Sequence, residues 1–418
     1  MRGTQVVVVV VALVLVTSGC WLEAGQSAGR AGFNPFESQI TAANVSQLGI
    51  AWQHQLTGPI RESLISPSAS TAYVPSAGAL TAYDLGTGTT SWSTDTTGTT
   101  TSDPVLVGGQ LVVATDGTSN CQLQHLDPAT GNLLSTQTFG MPNPMLCIPE
   151  PGALGTDTFV DAWSAVDLSD TGTCQIGHSA RYYHGLTSVG HFNLTFFDTT
   201  TCYIGNPPAP PPATLGPAMQ ERNLIVLPVG ENLDSVQALD ASTGQPVWSV
   251  PALAHVNGPV IALPNGDIAY TTTAGVLRVH DGATGQFKWS AQIVTGGPPF
   301  LTLPPASNQT TIFVAPGGIE AFPVGGCNAA TCTPTWTATL SSSANVRPSI
   351  GGNVVYVGSQ DGTVTAFPGN GCNASTCASL WSGATGSFVR GAPAIGQGHV
   401  VAGSQDGTVT AFALRPPS

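Results

Sequence analysis

Nine cysteines stand among the 418 residues, and thiols are the side chains here with the most chemistry to offer. A thiolate can hold a metal, attack a substrate or pair as a disulfide, and spacing separates these uses. Cys327-Asn-Ala-Ala-Thr-Cys332 and Cys372-Asn-Ala-Ser-Thr-Cys377 repeat one spacing 45 residues apart. No histidine or second thiol pair lies close in sequence, so each motif is expected to close a local disulfide. Cys121, Cys147, Cys174 and Cys202 allow three pairings, of which Cys121–Cys147 with Cys174–Cys202 is the first choice. The eight histidines are scattered. His178, His184 and His191, six and seven residues apart, read as surface or turn histidines, with a loop metal site as the other reading. No His-Glu-x-x-His pair occurs. The expectation is no catalytic residue and no resident metal.

Charge narrows the partners. Ten Lys or Arg against 23 Asp or Glu give −13, and only 8% of residues are charged. Phosphate-backbone binding needs clustered cations, so a nucleic-acid partner is not expected. A hydrophobic content of 41% is enough for a large core. Abundant Thr, Ser, Val and Gly, with few Lys, Glu and Arg, favour strands and turns over helices.

The amino end carries an address. Met1-Arg2 precedes an apolar run of eleven residues, Val6 to Val16. That run is too short to span a bilayer as a helix but suits the apolar core of an export signal. Thr17-Ser-Gly-Cys20 follows and resembles the lipobox of bacterial lipoproteins, with Thr in place of the preferred Leu. The resemblance implies a signal peptide over 1–19, lipidation of Cys20 and a mature charge of −14. Plain secretion is the alternative. An even count of eight cysteines beyond Cys20 agrees with export.

Repeats organise the remainder. Gly358-Ser-Gln-Asp-Gly-Thr-Val-Thr-Ala-Phe367 recurs unchanged at Gly403–Phe412. Looser copies include Ala82–Trp92, Ala238–Trp248, Val279–Trp289 and His125–Gly131. One position recurs at Asp84, Asp127, Asp198, Asp240, Asp281, Pro323, Pro368 and Ala413, in steps of 43, 71, 42, 41, 42, 45 and 45. The period predicts an all-β, eight-bladed β-propeller of four-stranded antiparallel blades. The long step marks a divergent insert, about 141–216, in the third blade. In the seventh unit the strands are expected at Pro348–Ile350, Val354–Gly358, Thr363–Phe367 and Leu380–Ser382, with Asp361-Gly362 as a two-residue hairpin turn. The eighth unit lacks an outer strand, whereas residues 48–55 form a spare one with Trp52 in place. That N-terminal strand is expected to complete the last blade and close the ring. The domain reading is tether and lead-in at 20–47, propeller at 48–414 and tail at 415–418.

The pattern Ala-x-Asp-x-x-Thr-Gly-x-x-x-Trp resembles the quinoprotein-type repeat of pyrroloquinoline-quinone (PQQ) dehydrogenases and their non-catalytic propeller relatives. Gln39–Trp52 is similar to the segment that opens those dehydrogenases. The resemblance implies that Trp52, Trp92, Trp248, Trp289, Trp336 and Trp381 dock between blades. It implies PQQ and calcium only for the catalytic branch, whose adjacent-cysteine lid and calcium-binding carboxylates are not recognisable here. The chain is also similar to envelope propeller lipoproteins, including the one that scaffolds outer-membrane β-barrel assembly.

The functional candidates follow from placement. Arg61, Arg347 and Arg390 precede the inner strands of blades one, seven and eight, where loops rim the funnel. They are either solvated loop arginines, one of them paired with Glu62, or a cationic sector for an anionic ligand or a protein partner's carboxylates. The insert is the other candidate surface, since binding residues favour divergent loops. Its run Pro207–Pro212 suits a stiff spacer. The expected protein is a membrane-tethered, extracytoplasmic, non-enzymatic binding or scaffold propeller without a cofactor. A divergent PQQ-dependent alcohol or sugar dehydrogenase is the alternative.

Overall fold

Short runs rich in Val, Ile, Thr and aromatic residues, broken by Gly and Asp-Gly, build strands and tight turns throughout the molecule. The computed structural model describes residues 31–415 apart from 62, 66–69, 97–98, 101–102, 108, 117–119, 141–145, 154–157, 169–172, 185–192, 202–218, 222–223, 230–233, 241–244, 257, 294–302 and 345. For strands between 137 and 221 only the path is described. The signal segment, Cys20 and Cys202 therefore lie outside the described residues, as do the side chains of Cys121, Cys147 and Cys174.

The described strands fall into eight sheets that follow one another along the chain, and one short 3-10 turn, Val45–Gln47, is the only helical element among them. The first sheet holds Leu64–Ile65, Thr71–Ser76, Ala79–Asp84 and Thr90–Asp95 in sequence order. The fourth, fifth and sixth repeat this meander, ending on the outer strands Pro246–Pro251, Phe287–Gln292 and Trp336–Thr339. The seventh matches the sequence reading almost residue for residue: Ser349–Gly351, Val354–Gly358, Thr363–Pro368 and Trp381–Ala384. Its hairpin turn differs from expectation. Gly362 alone takes a positive φ, +79°, and its N–H donates to Ser359 O, so the loop is one residue longer than a two-residue turn. Asp361 instead ties the turn, accepting from Thr363 N at 3.1 Å and from Ser341 Oγ at 2.6 Å.

Three departures from a uniform four-stranded plan stand out. In the second sheet, Thr99–Thr100 and Val105–Val107 both pair with Gln110–Asp116, splitting the inner position between two short strands. The third sheet, Leu146–Ala153, Thr158–Leu168, Thr173–His184 and Asn193–Thr201, spends the inserted sequence on long strands. Asp198 falls mid-way along its outer strand, opposite Ile176, and not at the end of a third strand as the repeat register suggested. The seventh sheet gains a fifth strand on its inner side, Phe33–Asn34, parallel to Ser349–Gly351.

The amino-terminal segment reaches further into the body than a tether. Leu48–Gln55 pairs antiparallel with Thr408–Leu414, from Leu48 opposite Leu414 to Gln55 opposite Thr408, which puts Trp52 beside Ala411 as the missing outer strand required. Before that, residues 31–47 are packed in. Ala31 O and Gly32 O accept from Ser307 N and Ile350 N, each at 2.7 Å. Asn34 Nδ2 donates to Ile395 O at 2.9 Å. The buried Glu37 carboxylate accepts from Gln39 N, Ile40 N and Gly398 N at 2.7–3.0 Å. Ile40 and Val45 are fully buried.

Neighbouring sheets meet at two kinds of joint. In the first kind, an Asp-x-x-Thr-Gly turn sits under the Trp of the preceding sheet. Trp52, Trp92 and Trp248 donate their indole N–H to Leu85 O, Pro128 O and Gly282 O, each the carbonyl just after the turn Asp. His54 Nε2 and Thr94 Oγ1 add donations to Gly88 O and Gly131 O, both at 2.7 Å. The motif glycine is doubly constrained. Gly88, Gly131 and Gly285 all have φ +72°, and an added Cβ would lie 2.5–2.8 Å from ring atoms of Trp52, Trp92 and Trp248.

In the second kind, a disulfide loop replaces the turn. Cys327–Cys332 and Cys372–Cys377 are both bonded. Each loop links the last two strands of its own sheet. It also docks on the edge of the preceding sheet: Ser290 N donates to Ala330 O and Cys332 N to Ser290 O, at 2.9 and 2.8 Å. Thr337 makes the same exchange with Ser375 and Cys377. Cys332 and Cys377 are buried within the inter-sheet cores, while Gly326 and Gly371 take the place of the motif glycine against Trp289 and Trp336. Trp381 closes the series by donating to Leu48 O at 3.1 Å, so all six tryptophans pack at sheet-to-sheet contacts.

Candidate functional site

Identical backbone positions on the first and eighth sheets present Arg61 and Arg390. Ile60 N donates to Ser404 O at 3.0 Å, and Val389 N donates to Ser359 O at 3.2 Å, each reaching back to the preceding sheet. The residue after each is an arginine. Both side chains are exposed. Arg390 is held on two sides: its Nε donates to Gln405 Oε1, and its guanidinium lies over the Phe388 ring, 5.5 Å from the centroid. Partial burial, and then the neighbouring Arg61 charge, push the Arg390 guanidinium below its ordinary pKa. A positive pair is therefore built in, and no carboxylate pairs with either member among the described residues. Two forks of N–H donors without a paired carboxylate among the described residues have the chemistry to accept an oxyanion; Glu62, next to Arg61, lies outside the described residues.

The structure thus brings together two of the three arginines singled out by sequence. Arg347 sits two positions further along its own segment; it is 8% exposed and engaged within the protein. The rise along an extended segment shows why: two residues advance the side chain by about 6.6 Å, from the loop towards the packed inner strand. Gln405 and Phe388 were not anticipated, although Gln405 belongs to the repeated Ser-Gln-Asp-Gly turn. The only lysine, Lys288, is on the outer strand Phe287–Gln292, bound to Asp267 at 2.5 Å and Asp281 at 3.5 Å. Asp361 and Asp406 act as turn residues, each accepting from the backbone N–H two positions on. His280 is buried and spoken for, with Nδ1–H donating to Gly285 O and Nε2 accepting from Tyr270 O–H. The three insert histidines lie outside the described residues or side chains.

The family model described as outer membrane protein assembly factor BamB matches residues 37–188, 211–302, 232–371 and 323–415. The chain belongs to this PQQ-type propeller family. No curated protein sequence matches it. Among solved structures it is similar to the quinohemoprotein alcohol dehydrogenase of Comamonas testosteroni, at 17% identity and TM-score 0.67, over 96% of this chain and 82% of that one. It is also similar to BamB of Moraxella catarrhalis, at 15% identity and TM-score 0.55, over 92% and 96%. Sqt1 of Saccharomyces cerevisiae gives 10% identity and TM-score 0.59, over 89% and 100%. At such identities the likeness establishes a propeller fold and carries no activity.

The catalytic branch asks for a calcium held by carboxylate and amide oxygens beside the quinone. Among the described residues no three His, Cys, Asp or Glu gather in a way that would hold a metal ion. The buried Glu37 carboxylate has its oxygens taken by three backbone N–H groups. No helix among them is long and apolar enough to cross a membrane.

Proposed function

We propose that this protein is a lipid-anchored, extracytoplasmic propeller of eight blades, closed by Leu48–Gln55, that binds or scaffolds without catalysing. Its recognition element is the Arg61–Arg390 pair on the rim, which engages an anionic group of the partner. The observation that carries the reading is the pair of guanidinium groups, without a paired carboxylate among the described residues, placed at equivalent positions of adjacent sheets, with Arg390 held by Gln405 and Phe388. The family's description as an assembly factor of outer-membrane proteins supports a binding role, and the lipobox-like Thr17–Cys20 supports tethering.

Crosslinking pull-down from intact cells tests the binding site. Arg61→Ala with Arg390→Ala is expected to abolish capture of the native partner, while Arg347→Ala acts through folding alone; unchanged capture by the double variant refutes the assignment. For the anchor, Cys20→Ala is expected to move the protein from the membrane to the soluble fraction. Stoichiometric retention of added PQQ with calcium, together with alcohol-dependent dye reduction, would overturn the non-enzymatic reading.

A further inference from the structure

The path of the lead-in settles which end of the ring its amino terminus leaves from. Phe33 and Asn34 run parallel to Ser349–Gly351, with Phe33 opposite Ile350 and Asn34 opposite Gly351. The chain therefore travels from the end where Arg347 precedes that strand towards the end where Gly352 turns it. Gly32 passes Pro348 O at the first end. Glu37 meets Gly398 N, and Ile40 O lies against Gly352, at the second. Arg61 and Arg390 sit at the first end, each just ahead of an inner strand. Ala31, the first described residue, therefore lies on the arginine side. Cys20 stands eleven residues ahead of Ala31, and even a fully extended chain of that length spans no more than about 40 Å.

From these two observations we infer that the arginine end of the ring faces the membrane and that Arg61 and Arg390 take the phosphate of a lipid headgroup. The inference rests on the anchoring and arginine readings above and names the anion they leave open. Guanidinium forks match phosphate oxygens bidentately. The carboxylates of Asp361 and Asp406 at the same end accept from Thr363, Ser341 and Thr408 within their own turns. A net charge of −13 for the whole chain repels the free protein from an anionic bilayer, so docking belongs to the tethered protein, whose anchor supplies a high effective concentration.

The test uses the lipidated protein in phosphatidylglycerol–phosphatidylcholine vesicles carrying a headgroup acceptor dye. A donor dye is placed either at Gln360→Cys, on the arginine end, or at Asn370→Cys, on the opposite end. Transfer from position 360 should exceed that from position 370. Arg61→Ala with Arg390→Ala should lower the docked-to-undocked ratio about thirtyfold, since each of the two cations near such a surface contributes on the order of 1 kcal/mol. Arg61→Lys with Arg390→Lys, which keeps both charges, should retain docking. Equal transfer from the two labels, in protein that stays on the vesicles, overturns the inference and leaves the anchor intact. Failure of the unlabelled wild type to remain on vesicles overturns the anchor reading and this inference with it. Unchanged transfer in the alanine variant, with loss of a protein crosslink, assigns the pair to a protein carboxylate instead.

Discussion

The Asp-x-x-Thr-Gly turn and the Cys-x4-Cys loop occupy the same place between sheets and hold it with different bonds. At a turn joint the preceding sheet offers side-chain donors, the indole of Trp52 and the ring of His54, to backbone carbonyls of the turn. At a disulfide joint the two backbones pair directly, Ser290 with Ala330 and Cys332, and Trp289 Nε1 is buried without an acceptor. The trade is legible in physical terms. A turn of five residues is too tight to lay a strand-like edge on its neighbour, so side chains must reach across. A cross-linked loop can do so, and the disulfide keeps it in that shape when unfolding would otherwise release it. What both share is a glycine pressed against an indole.

That shared element gives the largest expected effect. Gly285→Val at a turn joint and Gly371→Val at a disulfide joint should each cost about 3 kcal/mol or more, through a positive φ and a clash with Trp248 or Trp336. Chemical denaturation measures it, and a mild effect at either site would separate the two joints after all. Next, Cys372→Ser with Cys377→Ala should cost about 2 kcal/mol from lost loop closure. Amide exchange at residues 337 and 377 should quicken while Gly88 stays protected. Smaller still is a contrast between two conservative changes. Trp52→Phe should lose about 1 kcal/mol more than Trp289→Phe, because only the first gives up an indole hydrogen bond. Equal losses would mean that area alone decides.

The smallest effect is a pH dependence confined to turn joints. Burial holds the His280 imidazole below its ordinary pKa of 6.5, although the bond to Gly285 O opposes this. The folded protein binds fewer protons there than the unfolded chain does. Stability is therefore full above about pH 6.5 and falls as pH drops below it. Asp281, held low first by the Thr284 hydroxyl, adds a further loss at more acid pH, below the ordinary carboxylate range. Melting temperature followed from pH 8 to pH 5 should decline less in His280→Gln than in the wild type. An unchanged slope would remove His280 from the account.

Local sequence carried the strands, their order and the outer strand at residues 48–55, because each rests on an alternation or a repeat visible within some forty residues. Three things escaped it. Phe33–Asn34 is two residues long and finds its partner more than 300 positions away, so no pattern announces it. The third sheet departs from the repeat, and Asp198 matched the motif by composition while lying in a different strand. The edge pairing of the disulfide loops depends on a neighbouring sheet whose register the loop itself does not encode. Of the site, the arginines were visible as rare cations, whereas the burial of Arg347 depends on a two-residue offset that only packing reveals. The turn glycines were recognised as turn formers, and their second duty against the indoles needed coordinates.

The lead-in crosses from the axial side of the seventh sheet at Asn34 to the outer edge of the eighth at Leu48. Tension applied to the amino end would first load Phe33–Asn34 in shear along Ser349–Gly351, then the Asn34 and Glu37 clasps, and only afterwards the seam at Leu48–Gln55. A molecule hung by that end would bear its weight on a buckle, with the pairing of Leu48–Gln55 and Thr408–Leu414 kept slack.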